Sequence, residues 1–176
     1  MVTSNKTTFE YPIVGGLRIS LQRYLQPACG GIDALPHSCG ALPMLVTSHG
    51  LLAPCPDGEA FWVGLVAARG VSWTVRVEAS TLIGASAGAE RAHVPPACGV
   101  PGIPRDDTSW WPFTTCPVVQ SAPACRSLAI HARRGDWGAS GAVCVELVDA
   151  EEFESLAGKP VPRLDTQAAY GGWRLP

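Results

Sequence analysis

The chain has 176 residues, a formal charge of −2 at neutral pH, Gly 19 and Pro 16, and an apolar fraction of 47%. The length suits one domain with a sizeable core, so residues 1–176 are expected to form a single β-rich unit; the glycine and proline content excludes a helical bundle and the apolar content excludes a disordered chain. The near-balanced charge supplies no global basic field, and no apolar run reaches the roughly 18 residues that span a bilayer, so neither nucleic acid nor a membrane is expected as partner.

The opening "MVTSNKTTFEYPIVGG" is polar and lacks the apolar segment of a secretory signal. That reads as a cytoplasmic protein, with a virion as the alternative location. Strand-like stretches then recur: "GGLRISLQRYL" (15–25), "ALPMLVTSHGLL" (41–52), "AFWVGLVAA" (60–68) and "VSWTVRVEASTLI" (71–83). In the last, Trp73, Val75 and Val77 alternate with Thr74, Arg76 and Glu78, the period of a half-buried strand. "ARG" (68–70) reads as a hairpin turn joining the third and fourth stretches, with Gly70 taking the unusual backbone angles. "GASAGAER" reads as small-residue turn material.

Residues 92–124 carry Pro95, Pro96, Pro101, Pro104, Pro112, Pro117 and Pro123, which predicts a long irregular connection, either functional or packed around its own Trp110, Trp111 and Phe113. "RSLAIHA" (126–132) and "GAVCVELV" (141–148) are further strands. "DAEEFESLAG" (149–158) is the one helical stretch, with Asp149 as cap, acidic residues in its first turn and Gly158 as stop. Trp173 in the final "YGGWRLP" is expected to pack onto the domain.

The seven cysteines are odd in number and contain no CxxC pair, which predicts mostly reduced core thiols; Cys116 with Cys125 is a local disulfide candidate. His37, Cys39, His49, Cys55, Cys116, Cys125 and His131 are too scattered to predict a metal site, and no phosphate-binding glycine loop is present, so no cofactor is expected.

Chemistry concentrates in three places. His49 follows a strand in "LVTSHG", Glu78 ends the alternating "VRVEAS", and Ser140 lies between Gly138 and Gly141 in "GASGA". A serine hydroxyl becomes a nucleophile only beside a neutral imidazole that a carboxylate orients, and here histidine, acid and serine occur in that order. In these residues the chain resembles the chymotrypsin-like serine proteases, above all their small bacterial and viral members. The matching positions are Leu45, Val46, Thr47 and His49; Glu78 and Ala79; and Gly138, Ala139, Ser140 and Gly141, with "PIVGGLRIS" similar to their opening strand. Glu78 stands where that family usually has Asp, and Ala139 stands where an Asp commonly precedes the serine.

The resemblance implies an all-β fold of the trypsin-like double-barrel type with one short helix near the C-terminus, and a serine endopeptidase, active or degenerate, with a polypeptide substrate. It also implies an oxyanion hole from the backbone N–H groups of Gly138 and Ser140, and Arg134 at the base of the substrate pocket. The alternative is a β-sandwich serving as a non-catalytic binding, immunity-type or virion structural protein with a protein partner.

Overall fold

Strands form wherever apolar and polar residues alternate strongly, and also in places where the sequence gives no such sign. The computed structural model describes residues 6–81, 84–135 and 138–167. Its strands are β1 (Thr7–Thr8), β2 (Tyr11–Val14), β3 (Leu17–Leu25), β4 (Met44–Thr47), β5 (Gly50–Pro54), β6 (Glu59–Val66), β7 (Trp73–Ser80), β8 (Ser86–Val94), β9 (Gly99–Val100), β10 (Gly102–Pro104), β11 (Trp110–Pro112), β12 (Ser127–Arg134) and β13 (Ser140–Val148). Helix α1 (Ala150–Ala157) follows.

A first sheet has the order β1-β4-β5-β13-β12-β7-β8, a second the order β2-β3-β6-β9, and β10 with β11 makes a short ribbon. Every strand pair is antiparallel except β13 with β5, which run parallel from Val145 opposite Leu51 to Val148 opposite Pro54. The all-β class therefore holds. The described strands form no closed barrel, so the expected double barrel does not emerge from the strand order; two open sheets share one core instead.

The core follows from the alternation. Trp73, Val75, Val77 and Ala79 of β7 are buried while Thr74, Arg76, Glu78 and Ser80 stay partly exposed. The buried set, with Leu128 and Ile130 of β12 and Val143, Val145 and Leu147 of β13, packs against Leu17, Ile19 and Leu21 of β3 and Phe61, Val63 and Leu65 of β6. Each such side chain contributes about 1.5–3 kcal/mol on burial, which makes this shared layer the main stabilising element.

Three sequence expectations change. Residues 41–52 make two strands, because the chain reverses at Ser48 and His49 and β4 pairs back on β5. Gly70 does adopt φ +79, but β6 and β7 belong to different sheets, so 68–70 is a crossover turn and not a hairpin. Turn chemistry is the same in both cases; what decides is which sheet the next strand joins. "SAGAERAHV" is strand β8, pairing with β7 along its length, although Ala, Gly and Ser give it little intrinsic preference for a strand.

Within the proline-rich stretch, β9, β10 and β11 interrupt the irregular chain. Trp111 packs against the core, Phe113 is buried beside Phe61, and the Arg105 guanidinium lies 4.5 Å over Trp111. The helix is built as expected: Asp149 Oδ1 accepts from the Glu152 N–H at 2.8 Å and left-handed Gly158 (φ 67) ends it. Trp173 lies outside the described residues. All seven cysteines are free thiols, so Cys116 and Cys125 form no bridge.

Candidate functional site

His49, Glu78 and Ser140 all sit in or beside the first sheet, at three separate places. Exposed His49 lies in the β4–β5 turn, where its N–H donates to Thr47 Oγ1 at 3.2 Å. Glu78 lies at mid-strand on β7, opposite Ala129 of β12, which itself faces Cys144 of β13. From that row it is three strand spacings, about 14 Å, to the start of β5 beside His49. Ser140 begins β13, four residues before Cys144, which is about 13 Å along the strand. No hydrogen bond joins any two of the three, and the Glu78 carboxylate is taken by Arg76 Nη1 at 2.6 Å.

The glycines that frame these residues have packing reasons. Gly50 has φ +141, and a Cβ there would come within 2.5 Å of the Cys144 carbonyl oxygen, so "HG" marks the close approach of β5 to β13. A Cβ on Gly141 would meet Val14 Cβ at 2.9 Å, where β2 crosses the start of β13. One on Gly138 would meet the Arg134 side chain at 2.6 Å, and the Arg134 N–H donates to the Ala139 carbonyl at 3.1 Å, closing the β12–β13 hairpin. Both glycines of the Gly-x-Ser-Gly pattern thus have neighbouring side chains packed where a Cβ would stand. Arg134 lies at the end of β12 and lines the same cavity as Ser140, which brings these two expected site residues together.

That cavity lies on the first sheet. It is an open depression of about 800 Å³ on the outer face of β8, β7, β12 and β13, the side turned away from the core. Register dictates its chemistry. Arg91, Arg76 and His131 face one another across three strands, with Ala142 completing the row. In the adjacent row His93, Thr74, Arg133 and Ser140 are aligned, and His93 Nδ1 lies 3.2 Å from Thr74 Oγ1. Side chains across a row are about 4.8 Å apart and rows about 6.6 Å apart, so these arginines and histidines form a compact lattice.

Only Arg76 of this lattice is paired with a carboxylate among the described residues, and that pair is open to solvent, with 42% of the Arg76 side chain and 32% of the Glu78 side chain exposed. Ion pairs so exposed contribute little and exchange readily. Among the described residues no group of His, Cys, Asp or Glu converges to hold a metal, and no helix is long and apolar enough to cross a membrane. The chain matches no family model, no curated protein and no solved structure.

Arg76, Arg91 and the pair His131 and Arg133 lie well apart in the sequence and do not stand out there as a group. The net charge of −2 averages over the whole surface and hides a local cluster. Arg76 and the pair Arg133–Arg134 each look like ordinary solvated strand charges until register places them side by side. The one available signal was that Arg76 and Arg133 occupy polar positions of alternating strands, which fixes the face they share once the strands are paired.

Proposed function

We propose that this protein is a non-catalytic β-rich binding module that takes up an anionic group on the outer face of β7, β8, β12 and β13. The observation that carries this reading is the row Arg91–Arg76–His131 beside Arg133 on adjacent strands, where Glu78 is the one carboxylate paired with these arginines among the described residues. Guanidinium groups offer fixed forks of donors to carboxylate or phosphate oxygens, and a rigid sheet holds those forks in place before the ligand arrives.

A serine peptidase reading asks for His49 and Ser140 within hydrogen-bond reach and a carboxylate on the far side of the imidazole. The strand register and the Arg76–Glu78 pair favour the binding reading over it. Two measurements test the choice. Titration with inorganic phosphate, followed by NMR, is expected to shift the resonances of Arg76, Arg91, His131 and Arg133 and to leave those of the β3–β6 sheet in place; shifts scattered elsewhere reject the site. A fluorophosphonate probe is expected to leave Ser140 unlabelled. Labelling abolished by both Ser140→Ala and His49→Ala restores the peptidase.

A further inference from the structure

We infer that the occupant of this face is an extended acidic segment of another polypeptide, carrying carboxylates at alternate positions. The inference rests on the binding role proposed above and names its partner. Three observations point the same way.

The first is spacing. Arginines stand in adjacent outward rows about 6.6 Å apart, Arg91 and Arg76 in one and Arg133 in the next. An extended chain laid along these strands presents its own alternate side chains at the same interval of about 6.6 Å, so one register matches carboxylate to cation at successive steps. The second is a carboxylate already seated on the face. Glu78 reaches Arg76 from two residues away on the same strand at 2.6 Å, so the Arg76 guanidinium already takes a carboxylate presented at the two-residue spacing of an extended chain.

The third is what lines the depression. Its described wall is Thr, Ser, Gly, Ala, Arg and one His, with no Trp, Tyr or Phe. Single-stranded nucleic acids depend on aromatic platforms for base stacking as well as on phosphate contacts, and a long polyanion also meets the net negative charge of the rest of the molecule. A short acidic peptide needs neither stacking nor a long basic track. The depression, about 800 Å³, is of a size for a few residues of extended chain.

The test uses the full chain and fluorescence anisotropy. The probes are a labelled octapeptide of alternating glutamate and serine, its glutamine counterpart, a peptide with the same glutamates in one block, and a single-stranded oligonucleotide of equal charge. The alternating acidic peptide is expected to bind best and the glutamine peptide not at all. Arg91→Gln and Arg133→Gln each weaken binding about tenfold, the weight of one charge-assisted contact. Arg69→Gln, which removes the same charge from the β6–β7 turn, leaves it unchanged. Glu78→Gln is expected to tighten binding several-fold by releasing Arg76, a gain that a merely structural role for this pair does not produce. Circular dichroism verifies that each variant is folded.

Tighter binding of the oligonucleotide, with the same dependence on Arg91 and Arg133, overturns the peptide inference and leaves the anion-binding face standing. So does phosphate binding at the face with no peptide binding. Peptide binding that survives both arginine substitutions overturns it too. Absence of any anion at the face removes the binding reading together with the inference.

Discussion

The two large sheets treat the side turned away from the core in opposite ways. On the β3–β6 sheet that side is covered: Ser20, Gln22, Tyr24 and Trp62 are buried beneath the segment 26–43, with Ser38 Oγ donating to Gln22 Oε1 at 2.6 Å and Trp62 Nε1 donating to the Pro36 carbonyl at 3.0 Å. At the end of the same sheet Arg23 grips Glu59 through two hydrogen bonds, Nε to Oε2 at 2.9 Å and Nη2 to Oε1 at 2.8 Å, and a third ties Nη1 to the Pro162 carbonyl at 2.7 Å. On the β7–β12 sheet no described segment covers the outer side, and Arg91 and Arg133 are exposed there. Charge that is buried here is satisfied internally and fixes the structure; charge left in the open is available to a ligand.

Substitutions break this contrast most sharply on the covered side. Arg23→Ala leaves Glu59 buried without its partner and is expected to cost about 3–5 kcal/mol in urea unfolding. The pH dependence has a definite sign. Burial already pushes the Glu59 carboxyl above its ordinary range against the pull of Arg23, so the folded state holds its proton more tightly than the unfolded chain does. The Glu59 contribution is therefore most favourable below the ordinary carboxylate range and is lost as pH rises through its folded value. Loss of Arg23 raises that value further, so the variant's deficit is expected to be largest near neutrality and to shrink toward acid pH.

The next effect lies where the sheets meet. Gly141→Val drives a side chain into Val14 and Ile13 and is expected to cost about 1–3 kcal/mol, whereas neighbouring Ser140→Ala stays within about 0.5 kcal/mol. A comparable loss at Ser140 would show that the serine, and not the glycine, is the constrained position. Thiol modification sharpens the same divide without altering stability. Cys29, Cys98, Cys116 and Cys144 are exposed and should react with a maleimide in the native protein. Burial pushes the Cys55 thiol up and the Cys125 thiol to about 12, so both should react only after unfolding. The smallest effect belongs to the open face: Arg91→Gln and Arg133→Gln should shift unfolding midpoints by no more than about 0.5 kcal/mol of stability while abolishing phosphate-induced resonance shifts.

Much of the strand content was legible because β3, β6, β7, β12 and β13 carry strong apolar patterns, and α1 because Asp149 and Gly158 are explicit start and stop residues. What escaped was pairing. No local feature of "ARG" tells a hairpin from a crossover, and Ala, Gly and Ser in β8 acquire a strand conformation only from the neighbour β7. The site escaped for the same reason. Order along the chain drew attention to His49, Glu78 and Ser140, yet the lattice of Arg76, Arg91, His131 and Arg133 exists only through register between strands far apart in sequence.

The parallel pair β13–β5 has a consequence for how the protein is made. Strand β13 is the last described strand in the chain, yet it occupies the middle of the seven-stranded sheet, between β5 and β12. While the ribosome is still producing residues before Ser140, β5 and β12 each present an unpaired edge with nothing between them, and such edges are templates for other chains. The sheet closes only once β13 has left the ribosome, so β5 and β12 stay unjoined until Val148 is made. A chain cut shortly before Ser140 thus has two open edges rather than a smaller stable fold.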